Sequence, residues 1–278
     1  MTHLADGPAP APVSPRVSPG EFAWISEYLR ERTGIELKDG KQPLVVSRLS
    51  GRLRATGSST FGEYFRLLAD DSAPEAQLAV DLLTTNETYF FREPQHFDLL
   101  PQLIPDGAAT RPVRVWSAAS SSGEEAYSAA MTLAECMGHR PWEIVGTDIS
   151  SRVVEVASRA LYPIEASANI PDALLRRYCM KGSGSYEGMF TLRPGLRSRV
   201  SFQRCNLFDL PATIGAFDVI FLRNVMIYFG PDNKRRTLHA VLDHLRPGGV
   251  LLIGHAESVT GLIPGLLQVA PSVFRLER

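Results

Sequence analysis

VRVWSAASSSGEEAYS, residues 113–128, opens on a short apolar run, passes through seven small residues from Ser117 to Gly123, and continues with helical periodicity. Strand, tight turn and helix in that order form half of a βαβ crossover. The alternation then recurs. EIVGTD (143–148) reads as a strand and SRVVEVASRA (151–160) as a helix. VSFQRCNL (200–207) and FDVIFLRN (217–224) are strand-like, PDNKRRTLHAVLDHL (231–245) is helical, and GVLLIGH (249–255) is a strand behind the turn RPGG (246–249). Such alternation implies right-handed crossovers and a parallel sheet, an α/β fold of Rossmann-like type. Residues 171–199 break the rhythm. Their glycine-rich turns between short strand-like runs predict a small antiparallel β insertion.

Upstream the texture differs. Residues 1–19 are rich in Pro and Ala and poor in large apolar residues, so a disordered Pro-rich lead is expected. From Gly20 to Leu83 the pattern is helical, with no β signal. SPGEFAWISEYLRERTG (18–34) starts at Ser-Pro, spaces Phe22, Ile25 and Leu29 on one face, and stops at Gly34. KQPLVVSRLSGRLRATG (41–57) repeats the form, and two shorter helices follow in STFGEYFRLLADD (59–71) and APEAQLAVDLLTT (73–85). The expected organisation is a lead (1–19), a small all-α domain (20–83) and an α/β domain (84–278), without internal repeats.

The chain has 278 residues, 44% hydrophobic and 21% charged, with a formal net charge of −1. A near-neutral balance argues against a dedicated nucleic-acid binder. The N-terminus has no apolar signal-peptide core, and no apolar run approaches the roughly 18 residues of a membrane span. Cys136, Cys179 and Cys205 are far apart and odd in number, giving neither a disulfide framework nor a metal spacing. A cytoplasmic protein with reduced thiols and no metal site is expected.

In a doubly wound sheet the ligand sits at the carboxyl ends of the strands, at the switch point. The first turn here lacks the G-x-G-x-x-G that grips a pyrophosphate, yet its small residues let a ligand approach the backbone. Asp148 closes the second strand, where an acid can accept hydrogen bonds from a ribose diol; capping the helix that begins ISSRVVEV is its alternative. A nucleoside without phosphate suits this site, S-adenosyl-L-methionine being the common one. Its ammonium needs an anion and its carboxylate a cation, which Glu124 and Arg92 can supply. Arg92 lies in TTNETYFFREPQHF (84–97), between the two domains; the aromatics there, Tyr89, Phe90, Phe91 and Phe97, are expected to pack rather than react.

TNETYFFRE, WSAASSSGEEAYS, GTDIS, NLFD and LRNVMIYF, in this order, resemble the chemotaxis-receptor methyltransferase family, CheR. The likeness runs from about residue 20 through nearly the whole chain, helical module and β insertion included. It implies a class I methyltransferase fold that uses S-adenosyl-L-methionine and releases S-adenosyl-L-homocysteine, forming methyl esters on chemoreceptor glutamates. Carried over by position, it implies cofactor contacts from Asn86, Thr88 and Arg92, a hold on the amino and ribose groups by Glu124 and Asp148, and Asn206 and Leu207 flanking the adenine. Arg223 and Asn224 would lie at the end of the fourth strand, and Arg92 and Tyr228 beside the transferred methyl as catalytic residues. Glu124 and Glu125 both remain open as the functional acid. Ser121 stands where the family often has threonine.

The family's substrate is the cytoplasmic helical region of methyl-accepting chemoreceptors, which is acidic. Arg48 and Arg52, four apart, share a helix face with Arg54 on its flank, so this basic face is the expected docking surface. Some members of the family grip a receptor's C-terminal peptide with this insertion, and the GSGSYEG loop (182–188) resembles theirs. No membrane insertion is expected, and a monomer is. The segment LRNVMIYF differs from the Asn/Asp-Pro-Pro-Tyr-like motif of amino-methylating nucleic-acid enzymes, and no aromatic-basic stripe for nucleic acid accompanies it.

Overall fold

The computed structural model describes residues 16–70, 73–104 and 111–277, so most of the expected lead lies outside the described residues. Its last residue, Pro19, already belongs to a helix. Ser18 and Glu21 form a capping box with Pro19 in the first helical position, and α1 spans Pro19–Thr33. Gly34 ends it in the left-handed conformation. Helices α2 (Gln42–Thr56), α3 (Phe61–Leu68) and α4 (Pro74–Leu83) follow. Ile25, Leu29, Leu49, Phe61, Tyr64 and Leu68 are fully buried among them, a core separate from those of the sheet.

After α5 (Gln95–Leu103) the sheet begins, with β1 (Val113–Ala118), α6 (Glu124–Cys136), β2 (Trp142–Asp148) and α7 (Ser151–Arg159). Then come three short strands, β3 (Leu161–Pro163), β4 (Cys179–Lys181) and β5 (Met189–Leu192), with α8 (Asp172–Tyr178) between the first two. The chain continues as α9 (Pro194–Arg197), β6 (Val200–Arg204), β7 (Phe217–Leu222), α10 (Pro231–Leu242), β8 (Leu245–Ile253), β9 (Leu266–Ala270) and β10 (Val273–Leu276). The main sheet has the order β6-β2-β1-β7-β8-β10-β9. Its first five strands run parallel; β10 is antiparallel to both β8 and β9. The chain works outward from β1 to one side and returns to its other side with β7, which puts the switch point at the ends of these two strands. Val115, Ile144 and Val219 pack on the α6 side, Trp116, Ile220 and Leu251 on the α10 side.

Two expectations need correction. The insertion is a three-stranded antiparallel sheet of order β3-β5-β4, and it starts at Leu161 rather than 171. A three-residue strand between two helices is too short to show a period. RPGG is not a turn before a strand but lies within β8: Phe217 pairs with Leu245 while Val219 pairs with Val250, so the extra residues bulge out around Gly248 at φ 77°. The β9–β10 hairpin had no counterpart in the sequence reading. Among the described residues no helix is long and apolar enough to cross a membrane.

Candidate active site

Three segments leave the sheet at the switch point: residues 119–123 after β1, 149–150 after β2 and 223–229 after β7. The hinge 84–93 folds across them. Seven non-glycine residues have positive φ among the described residues; Phe91, Glu93, Ala119, Ser121 and Asn224 belong to the hinge, the first turn or the β7 exit. Each such conformation costs about 1–3 kcal/mol and survives only where its surroundings enforce it. Ser121 Oγ donates to Asn86 O at 2.8 Å, and Phe91 N donates to Ser128 Oγ at 2.9 Å, fastening the hinge to the turn and to α6. Gly123 sits at φ 97°, and a Cβ there would meet the Ala157 Cβ at 2.9 Å. Only glycine lets α6 start so close to α7.

The pocket between these segments takes in Asn86, Thr88 and Arg92 from the hinge and Asp148 from β2. Leu207, Phe229 and Phe97 supply apolar wall, and Tyr228 stands at its side. Asp148 is buried, with one carboxylate oxygen accepting from Ser121 N and the other from Ser150 N, both at 2.9 Å. Burial raises its carboxyl above the ordinary range, with these backbone donors pulling the other way. It does not cap α7. That position belongs to Asp81 of α4, whose Oδ1 accepts from Ser151 N at 2.9 Å.

Of the paired acids at the start of α6, Glu125 reaches the pocket. It accepts from Ser117 Oγ at 2.7 Å and from Arg223 Nη1 at 2.9 Å. Glu124, placed in the cofactor site by position, turns the other way: it is buried, outside the pocket lining, and accepts from Ser122 Oγ at 2.7 Å. Burial pushes both carboxyls up, and Arg223 opposes this at Glu125. Arg223 is itself almost wholly buried; its Nη2 meets Glu93 Oε2 at 3.0 Å and also donates to the Arg92 carbonyl. The β7 exit hangs on Glu257, whose Oε2 accepts from Asn224 N and Gly254 N and whose Oε1 accepts from Met226 N, at 2.7–2.8 Å. A Cβ on Gly254 would come within 2.5 Å of Asn224 Nδ2 and 2.9 Å of Glu257 Oε2.

The helical module closes the remaining side. Thr33 and Ile35 line the pocket, Ile35 forms an antiparallel bridge with Phe229, and Glu36 N donates to Tyr228 O at 2.9 Å. Asn206 Nδ2 donates to Arg32 O at 2.6 Å, so this side chain joins the two domains.

Two family models cover the chain: the all-alpha domain of CheR methyltransferase matches residues 20–84, and its SAM binding domain matches residues 86–272. The chain belongs to the CheR methyltransferase family. It is 41% identical to a chemotaxis protein methyltransferase of Escherichia coli, over 94% of this chain and 92% of that one. It is 42% identical to chemotaxis protein methyltransferase 2 of Pseudomonas aeruginosa, over 86% of each. As a CheR methyltransferase it uses S-adenosyl-L-methionine, and the pocket fits that cofactor. A buried acid at the end of β2 has capacity beyond its two backbone donors, a second acid stands at the start of α6, and apolar walls lie between.

Of the residues that the CheR resemblance assigned to the cofactor, Asn86, Thr88, Arg92, Asp148, Asn206, Leu207, Arg223 and Asn224 line the pocket, as does Tyr228; Glu124 does not. Phe90, Phe91 and Phe97 are buried packing residues, whereas Tyr89 is exposed. Glu93, Glu257, Thr33 and Ile35 were not anticipated. Nothing in the chain near Glu257 or Ile35 marks them, because the β7-exit partners of Glu257, Asn224 and Met226, lie more than thirty residues away and Ile35 pairs with Phe229 of the other domain.

The basic face of α2 is largely spent on the molecule's own structure. Arg48 donates to the carbonyls of Leu83 and Thr84 at 2.8 and 2.9 Å, tying α2 to the end of α4. Arg52 forms a bidentate pair with Glu75 at 2.7–2.8 Å. Arg54 is exposed. Helical spacing placed the three together; it could not reveal that α4 lies against two of them.

Proposed function

We propose that this chain is a protein-glutamate O-methyltransferase acting on the cytoplasmic helical region of methyl-accepting chemoreceptors, an adaptation step in chemotaxis-type signalling. The observation that carries this is the make-up of the pocket: Arg92 and Tyr228 stand in it with Asp148 and Glu125, and no histidine is among its described lining residues. A glutamate side chain titrates at about 4.3 and is ionised at neutral pH, so it needs no general base. When bound, S-adenosyl-L-methionine supplies a methyl group on a sulfonium. The protein's part is to align the glutamate and exclude water. Arg92 Nη1 donates to Glu87 O at 3.0 Å, and its guanidinium lies 5.8 Å from the Tyr89 ring, which fixes the cation at the mouth without burying it. Tyr228 is held from behind by the bridge to the helical module. The relatives' designation as chemotaxis protein methyltransferases supports the substrate class.

Docking on α2 is proposed for Arg54, the exposed member of its basic set. A second receptor contact is proposed on the insertion. There β4 is an outer strand, and an extended receptor C-terminal peptide would add to its edge. The enzymatic reading is tested by incubation with methyl-labelled cofactor and receptor-containing membranes, followed by alkali. Methyl esters release volatile labelled methanol. Label that stays with the protein in alkali would overturn glutamate as the substrate.

A further inference from the structure

Behind Arg223, outside the pocket, three potential ligands converge. Glu93 ends the hinge just before α5, His96 lies three residues on in the first turn of that helix, and His255 follows β8. His96 Nδ1 lies 3.5 Å and His255 Nε2 3.9 Å from the same carboxylate oxygen, Glu93 Oε2. One ligand atom from each falls within 4.8 Å of the others. The imidazole rings are 5.1 Å apart and inclined at 67°. His96 is 1% exposed, and neither of its ring nitrogens has a hydrogen-bond partner. Buried polar atoms in this condition are rare, and an unseen ion is among their standard explanations.

We propose that Glu93, His96 and His255 bind a first-row divalent ion of the zinc type. Two imidazoles and one carboxylate are the donors such ions prefer, and around a tetrahedral ion with bonds of about 2.1 Å donors stand about 3.4 Å apart. Two of the separations are already close to that, and His255, half exposed, can close the third by a side-chain rotation. The scaffold is held in place, since His255 N points at both Glu93 oxygens at 3.3 Å. Charge favours a cation: Glu93 and Glu125 flank the single Arg223 guanidinium. No local motif spacing shows this site, because its third member is 162 residues from the first. The ion would compete with Arg223 and Asn224 for Glu93, and both of these line the pocket. Occupancy therefore lowers methyl transfer.

Untagged full-length protein titrated with Zn²⁺ in a calorimeter, and with Co²⁺ followed by visible absorption, tests this. One equivalent should bind. His255→Ala, at an exposed position, should weaken binding by at least about tenfold, the loss that even an outer-sphere partner can produce. His96→Gln should do the same, and Zn²⁺ should raise the melting midpoint of the wild type but not of either variant. Wild-type protein that binds neither ion, or a folded His255→Ala variant that binds both as tightly as the wild type, overturns the proposal.

Discussion

Asp148 illustrates what a single residue's surroundings decide. From sequence it could cap a helix or hold a ribose; in the fold its two oxygens face the backbone of two different segments at the mouth of the pocket, and Asp81 does the capping. Asp148→Ala is expected to weaken cofactor binding by about 1.5–3 kcal/mol, the range for hydrogen bonds to a charged group. Calorimetry with S-adenosyl-L-homocysteine checks this, and a folded variant with unchanged affinity would remove Asp148 from the ribose role. Tyr228 calls for the opposite signature. Tyr228→Phe should lower kcat with little change in cofactor affinity, because its hydroxyl serves the reacting end. Loss of affinity with kcat intact would assign it to cofactor binding. The Glu124–Glu125 ambiguity was irreducible by sequence. Neighbours on a helix point about 100° apart, and only the seating of α6 on the sheet decides which one enters the pocket.

Whole elements were legible where periodicity and caps agreed, as for α1 and α2, and illegible where they were short or held by distant partners. The β insertion was visible through its glycines, its first strand was not. The arginines of α2 show how an element's exposed face can be misjudged, and they yield a paired test. Arg52→Glu should lower stability, since it sets two carboxylates facing each other at Glu75, and leave KM for receptor unchanged in the folded fraction. Arg54→Glu should raise that KM and leave the melting midpoint alone. If Arg54→Glu has normal receptor kinetics, docking does not use this face. At the β7 exit, Glu257→Gln replaces one of the two oxygens that accept from backbone N–H groups with an NH2 donor. Release of Asn224 from its left-handed conformation should follow, at a cost of about 1–3 kcal/mol in stability for the unsatisfied groups, together with a fall in kcat. Kinetics equal to wild type would mean that the turn holds itself.

For the molecule as a whole, the order of strands and helices carried the architecture: a helical module, then a parallel sheet with its ligand at the switch point. What the order could not convey is how the two bodies meet. Ile35 against Phe229, Asn206 against Arg32 and Asp81 against Ser151 are pairings across the chain that no local pattern encodes. They have a calorimetric consequence. The module and the sheet keep separate apolar cores with Ile35 packed against both, so the seam between them is what makes them melt as one or as two. Thr33 and Ile35 line one side of the pocket and Asp148 the other, so a ligand that fills it would need both bodies folded and in contact. Without it the heat-absorption peak should be broad or split; with S-adenosyl-L-homocysteine at about 100 times its dissociation constant, about 2.7 kcal/mol is added to the joined state and the peak should sharpen and move upward as one. A single sharp transition that the ligand merely shifts would mean the seam is already cooperative by itself. A peak that sharpens and shifts as one would make the cofactor the mortar of this enzyme as well.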